Sequence, residues 1–110
     1  MNAPFPEEDD CPEAVASTDP RRPGRLFTIL NRKGLHARAT AKFVQIVERF
    51  DAAVEVTRCG ETVGGRSIMG LLTLAAAQGT SIAVTAQGPE AEAVLDALQG
   101  LIESRFGEAE

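Results

Sequence analysis

The stretch "NRKGLHARATAKFVQIVERF", residues 31–50, decides how the chain is organised. After its Gly-Leu-His start, apolar residues recur every three or four positions, at Ala39, Phe43, Ile46, Val47 and Phe50. This spacing predicts an amphipathic helix over residues 37–50 with one buried face. His36, the only histidine of the chain, lies immediately before that helix.

Strand patterns lie on both sides of this predicted helix. The segment "RLFTIL" at residues 25–30 reads as a short strand, and "AVEVT" at residues 53–57 alternates apolar and polar side chains. The turn signal "CGE" at residues 59–61 is followed by a brief strand at residues 62–64, which would close a hairpin. Further along the chain, "SIAVTA" at residues 81–86 shows the same alternation.

Two more helices are predicted in the second half of the chain. Ser67 is placed to cap a short apolar helix, with Gly79 as its C-terminal stop. The segment "GPEAEAVLDALQGLIESRFG", residues 88–107, predicts a third helix with Pro89 in its first turn and Gly107 at its end. The order β-α-β-β-α-β-α favours an α+β open-faced sandwich, in which helices cover one face of a mostly antiparallel sheet.

The 110 residues leave room for one domain. Residues 1–24 are rich in Pro, Asp and Glu without periodicity, and we expect a disordered N-terminal tail there. The predicted domain covers residues 25–106, and residues 107–110 are assigned to a C-terminal tail. The formal charge of −5 is uneven, because residues 1–24 carry −4 and the remaining chain carries −1.

This composition excludes several classes of function. The nearly neutral domain has no basic stripe and neither Trp nor Tyr, so we expect no nucleic-acid partner. The acidic N-terminus resembles no signal peptide, and no apolar run could span a membrane. Cys11 and Cys59 are too few and too isolated to predict a disulfide framework, and one histidine with two scattered cysteines does not predict a zinc site. We therefore expect a soluble, cytoplasmic, monomeric protein without a metal or cofactor.

His36 occupies a position that favours an anion over a positive charge. The first amides of a helix lack partners within the helix, and the helix dipole is positive at that end. A phosphoryl group on the imidazole would be stabilised there by the backbone amides of Ala37 and Arg38 and by the Arg38 guanidinium. A neutral imidazole can act as the nucleophile that accepts such a group. Periodicity alone leaves open a plain helix-start or half-buried core histidine.

Two motifs resemble one known family. "GLHARATAKFV" resembles the active-site signature of HPr, the histidine-containing phosphocarrier of the bacterial phosphotransferase system, and "SIMGLLTLAAAQGTSIAVTAQGPEAEAVLDAL" resembles that family's second half. The resemblance runs from Arg25 to Phe106. It implies a four-stranded antiparallel sheet covered on one face by three helices. It also implies that enzyme I, charged by phosphoenolpyruvate, phosphorylates Nδ1 of His36 beside Arg38, and that an enzyme IIA-type domain receives the group. The chain would then be a phosphoryl carrier and not an enzyme.

The second motif implies two further sites. Ser67 has a structural role as a helix cap, worth about 1 kcal/mol, and it also matches the serine that HPr kinase/phosphorylase phosphorylates in some family members. The resemblance further implies that Ile68, Met69 and Leu72 form an apolar patch that packs against enzyme I. Leu71 and Leu74 are expected in the core.

Three positions depart from the sugar-transport members of the family. Ala39 stands where those members commonly have proline, and Gln45 and Glu48 stand where they tend to be basic. These departures resemble NPr, the nitrogen-related branch. An alternative of another class is a regulatory protein-binding module that passes little phosphate. A domain without a site of its own would leave both His36 and the second motif unexplained.

Overall fold

The computed structural model describes residues 19–110. Its elements follow the predicted order: β1 (Gly24–Thr28), α1 (Ala37–Val47), β2 (Ala53–Arg58), β3 (Glu61–Gly64), α2 (Ile68–Thr73), β4 (Ser81–Gln87) and α3 (Ala91–Glu103), followed by a 3-10 turn at Arg105–Gly107. Residues 1–18, which hold most of the predicted N-terminal tail, lie outside the described residues.

The four strands form one antiparallel sheet in the order β1-β4-β2-β3. β4 is the last strand along the chain, yet it lies between β1 and β2. Its Ile82 is opposite Phe27 of β1, and its Val84 is opposite Val56 of β2. With three helices packed on it, this sheet is the predicted open-faced sandwich, and the fold class is confirmed.

The core lies between the sheet and the helices. Alternate strand residues point into it, and each helix contributes one apolar stripe. The largest fully buried side chains are Phe43, Phe106, Ile29, Leu71, Ile82, Leu95, Leu98 and Ile102. Each such side chain stabilises the fold by roughly 1.5–3 kcal/mol relative to exposure. The apolar stripe of α1 therefore fixes its position on the sheet, and with it the position of His36.

The prediction that α2 extends to Gly79 is wrong. The helix ends at Thr73, and Ala75 adopts a left-handed backbone with φ of 51°. This change of direction allows Leu74 and Ala76 on either side to be buried. Gly79 lies in the turn before β4, where its amide donates to the Ile29 carbonyl at 2.8 Å. The burial of apolar side chains, and not the next glycine, decides where this helix ends.

The ends of other elements also differ from prediction. α1 ends at Val47, three residues before Phe50, and α3 begins after Pro89 and ends at Glu103. β1 begins at Gly24, inside the predicted tail, because the Pro23 carbonyl before it accepts from the Ala86 amide at 2.9 Å. Among residues 19–110, none of the helices has the length and apolar character needed to cross a bilayer.

We predict that Gly34→Ala destabilises the fold more than Gly60→Ala. Both glycines have positive φ, of 69° and 76°, so alanine is strained by roughly 1–2 kcal/mol at either position. At Gly34 the added Cβ would also lie 2.5 Å from the Ala76 carbonyl oxygen, whereas at Gly60 it would meet nothing within 4 Å. Urea unfolding of both variants measures the difference. An equal decrease in the free energy of unfolding for both variants would contradict the prediction, because it would show that the loop before His36 accommodates the added Cβ without further destabilisation.

Candidate functional site

His36 is the N-cap of α1. Its backbone is extended, its Nδ1 accepts a hydrogen bond from the Arg38 amide at 3.2 Å, and its carbonyl accepts from the Thr40 amide at 2.9 Å. An imidazole nitrogen thus accepts the capping hydrogen bond that a serine, threonine, aspartate or asparagine oxygen commonly accepts at a helix start. Nδ1 carries a lone pair in this arrangement, because it is the acceptor of an N–H group.

The first turn of α1 presents a polar face to solvent and an apolar face to the core. Ala37 and Arg38 are exposed, whereas Ala39 and Thr40 are fully buried. Thr40 satisfies its hydroxyl by donating to the Ala37 carbonyl at 2.8 Å. The structure therefore brings the predicted residues Ala37 and Arg38 to the imidazole, and it directs Ala39 away from it. The Arg38 amide is engaged by the ring itself.

The loop before His36 is held by buried hydrogen bonds. Asn31 is fully buried and donates its side-chain amide to the Gly34 carbonyl at 2.8 Å, while the Gly34 amide donates to the Asn31 carbonyl at 3.1 Å. The Leu35 amide donates to the Ala76 carbonyl at 2.9 Å. These bonds set the approach of the chain to α1, so the imidazole is placed by a rigid loop.

A left-handed turn brings the C-terminus back to this loop. Arg105, Phe106 and Gly107 have φ of 57°, 56° and 76°, which costs roughly 1–2 kcal/mol for each non-glycine residue. Burial of the Phe106 side chain, at 1% exposure, offsets part of this cost. Lys42 of α1 donates to the Phe106 carbonyl at 2.5 Å. The chain after α3 is thereby turned toward the start of α1.

Glu108 is the site residue that the sequence analysis missed. One carboxylate oxygen, Oε2, is hydrogen-bonded to Nε2 of His36, and the other, Oε1, accepts from the Asn31 side-chain amide at 3.0 Å. The Glu108 side chain is only 17% exposed and that of His36 is 25% exposed. No local pattern identifies Glu108, because it lies 72 residues from its partner.

Residues 107–110, which the sequence analysis assigns to a C-terminal tail, also contact the loop before His36. Besides Glu108, Glu110 pairs with Arg32 at 2.8 Å, and its backbone carbonyl accepts from the Arg32 amide at 2.6 Å. We call residues 105–110 the C-terminal segment. It packs on the loop of residues 31–36 and closes one side of the site.

Hydrogen bonds hold Glu108 in its ionised form. The bond from His36 lowers the pKa of the Glu108 carboxyl below its ordinary value of 4.5, and burial acts in the opposite direction. The bond from Asn31 and the positive charge of Lys33 lower the pKa further. The ring of His36 thus faces a carboxylate at neutral pH.

The second predicted region surrounds the start of α2. Ser67 is exposed, and its hydroxyl oxygen caps the helix by accepting from the Gly70 amide at 2.9 Å. Ile68 is 40% exposed and Met69 is 71% exposed, whereas Leu71 is fully buried. Leu72 is partly buried and Leu74 is in the core, as expected. We call Ile68, Met69 and Leu72 the apolar patch.

The comparison with known proteins decides the family. The family model described as "PTS HPr component phosphorylation site" matches residues 24–104, most of the chain and all seven elements of the sandwich. The chain belongs to the HPr family. This confirms the resemblance on which the sequence analysis relied, and it makes the chain a phosphocarrier of the phosphotransferase system and not a catalyst.

Individual relatives agree with this assignment. The HPr-family chain is 45% identical over 86 residues to the phosphocarrier protein HPr of Cupriavidus necator, covering 78% of this chain and 97% of that protein. It is 36% identical over 85 residues to the phosphocarrier protein NPr of Shewanella violacea, covering 77% and 93%. The crystal structure of HPr-C-His from Thermoanaerobacter tengcongensis superposes with a TM-score of 0.76 at 38% identity, covering 79% and 98%.

We predict that Glu108 makes the stability of this HPr-family protein depend on pH. Because its pKa is lower in the folded state than in the unfolded state, the carboxylate contributes stability above pH 4.5, and this contribution is lost as the pH falls through the folded value. Urea unfolding should be measured at about pH 7 and about pH 3. The free energy of unfolding of the wild type should be larger than that of Glu108→Gln only at the higher pH. The control is Glu110→Gln, and an identical pH dependence for both variants would contradict the prediction.

Proposed function

We propose that this HPr-family protein accepts a phosphoryl group on Nδ1 of His36 from phosphoenolpyruvate-charged enzyme I and passes it to an enzyme IIA-type acceptor. The observation that carries the proposal is the Arg38 amide, which donates to Nδ1 at 3.2 Å at the start of α1. An Nδ1 that accepts this bond is unprotonated, so its lone pair becomes the nucleophile when the bond from the Arg38 amide breaks. The capping position also places that atom at the helix end that attracts anions.

The same geometry supports a phosphohistidine intermediate. Once Nδ1 is bonded to phosphorus it no longer accepts from the Arg38 amide, so that N–H becomes available to a phosphate oxygen. An anion at a helix N-terminus is stabilised by about 0.3–1 kcal/mol, and by up to about 2 kcal/mol when partly buried. Arg38 itself is exposed on the same turn, and its guanidinium can pair with two phosphate oxygens. The Ala37 amide belongs to the same first turn.

Docking of enzyme I is assigned to the apolar patch. Ile68 and Met69 are exposed large apolar side chains on α2, which packs against α1. An exposed methionine suits a surface that meets several partners in turn, because its side chain is flexible and polarisable. We propose that the carrier works as a cytoplasmic monomer, since docking in turn to several enzymes requires this patch to stay open.

We propose that the acceptor belongs to the nitrogen-related phosphotransferase chain. Ala39 keeps an amide where sugar-transport members commonly have proline, and the exposed Gln45 and Glu48 reduce positive charge on α1. Both features support an acceptor of the nitrogen-related phosphotransferase chain. The curated relatives named HPr include proteins at 46% identity, against 36% for the NPr relative.

The first experiment follows labelled phosphate from phosphoenolpyruvate. With enzyme I present, the wild type should take up one phosphate in an acid-labile, base-stable linkage, and His36→Ala should take up none. His36→Asn is the matched control, because asparagine restores a capping oxygen but has no nucleophilic nitrogen. It should also remain unlabelled. Labelling of either variant at a residue other than Ser67 would contradict the assignment of His36.

The second stage of this experiment distinguishes the acceptors. Purified phospho-carrier is mixed with a nitrogen-type and a sugar-type enzyme IIA, and the initial transfer rates are compared. Faster transfer to the nitrogen-type domain is expected, and the reverse order would overturn the branch assignment. If neither domain takes up label while binding persists, the chain acts as a regulatory binding module.

We also propose that Ser67 is a regulatory phosphorylation site for HPr kinase/phosphorylase. Its hydroxyl is exposed at the start of α2 and lies next to Ile68 of the apolar patch. A phosphate there adds about −1.5 to −2 charges to the surface on which enzyme I docks. Desolvation of that charge would weaken an apolar contact, and an acidic partner would be repelled.

We predict that Ser67→Asp slows phosphoryl transfer from enzyme I to His36 by roughly tenfold, the effect of a single charge worth about 1.4 kcal/mol. Ser67→Asn is the matched control, because asparagine and aspartate both cap a helix well and differ from each other mainly in charge. Its transfer rate should stay near that of the wild type. Similar rates for the two variants would show that charge at this position does not control docking.

A further inference from the structure

The imidazole of His36 is held at both ring nitrogens by groups that require the same proton position. The Arg38 amide donates to Nδ1, so Nδ1 must be unprotonated. On the opposite edge of the ring, Nε2 is bonded to the Glu108 carboxylate, which can only accept, so Nε2 must carry the proton. The two contacts together select one of the two neutral tautomers.

The carboxylate is itself held in place. Its second oxygen accepts from Asn31 at 3.0 Å, and the same Asn31 amide group is fixed to the Gly34 carbonyl at 2.8 Å. Asn31 is fully buried and Glu108 is only 17% exposed, so neither group moves freely into solvent. This is the arrangement in which a third group orients an acceptor of a ring proton.

We infer that Glu108 is a positioning residue for phosphoryl transfer, which keeps the proton of His36 on Nε2 and so keeps the Nδ1 lone pair available to phosphorus. The inference rests on the proposed function of His36 and adds to it a residue outside the family match, which ends at residue 104. Glu108 acts through the ring of His36 and does not touch the phosphoryl group.

The carboxylate also balances the charge that the reaction creates. The Nδ1 lone pair forms the bond to phosphorus, the bond between phosphorus and the donor breaks, and its electron pair leaves with the donor. The Nε2 proton stays on the ring, which then carries the positive charge of an N-phosphorylated imidazolium. Glu108 lies beside that charge and on the far edge of the ring from the new phosphoryl group, so attraction to the ring outweighs repulsion of the phosphate.

The test begins with the tautomer of the unphosphorylated protein, which needs no partner enzyme. Because His36 is the only histidine, ¹⁵N NMR of the ring gives one Nδ1 and one Nε2 signal. At an alkaline pH at which the ring is neutral, the wild type should show protonated Nε2 almost alone. In Glu108→Gln the amide can accept from or donate to the ring, so the ratio of the tautomers should fall by roughly tenfold.

A second measurement links the tautomer to transfer. The initial rate of phosphorylation by enzyme I should fall by roughly tenfold in Glu108→Gln, as for other groups that orient a functional histidine. Glu110→Gln is the matched control, because it removes a carboxylate of the same C-terminal segment that pairs with Arg32 and not with His36. It should keep both the tautomer ratio and the rate. Glu108→Ala should show the same two losses as Glu108→Gln.

Each outcome has one meaning. An unchanged tautomer ratio in Glu108→Gln overturns the inference, as does a shifted ratio with an unchanged rate. Equal losses in Glu110→Gln also overturn it, because they would trace the effect to the packing of the C-terminal segment. Failure of the wild type to accept any phosphate on His36 would instead overturn the proposed function. The NMR measurement distinguishes this case, because it reports the tautomer of the unphosphorylated protein independently of phosphoryl transfer.

Discussion

The insertion of β4 between β1 and β2 is the constraint on which the rest of the structure depends. Ile82 and Val84 of this strand are fully buried, and Val84 pairs with Arg25 of β1 on one side and with Val56 of β2 on the other. The sheet is therefore complete only when the last strand has returned to its centre. α3 must then cross the sheet beside α1, and the chain that leaves α3 emerges near the start of α1. The contact between Glu108 and His36 is a consequence of this topology.

The candidate site combines a hydrogen-bonded support with a partly exposed imidazole. Buried bonds from Asn31 and the apolar stripe of α1 place His36, while the first turn of the helix remains open to solvent. The core stabilises the position of the ring, and the helix start supplies the electrostatic field. A carrier needs both properties, because it must hold a labile phosphoryl group in a defined geometry and still present it to large partners.

The starts of α1 and α2 are both capped by a side chain, but with different chemical groups. Ser67 caps α2 with a hydroxyl oxygen, and His36 caps α1 with a ring nitrogen. In both cases a side chain satisfies an amide that would otherwise lack a partner, and the same amide becomes available once the side chain is modified. The other end of α2 is held by Arg58, whose guanidinium donates to the Leu74 carbonyl at 2.9 Å. This bond helps to fix the helix that carries the apolar patch.

The sequence by itself determined the order of the elements, the fold class, the buried faces of α1 and α3, the position of His36 before α1 and the cap at Ser67, because each depends on the periodicity or chemistry of neighbouring residues. Only the tertiary structure decided that α2 ends before Ala75, where core burial outweighs a helical pattern, and that Glu108 lies against the ring of His36. The pairing of Glu108 with His36 joins positions 72 residues apart. Such a contact is set by the path of the chain around β4, and no local pattern records that path.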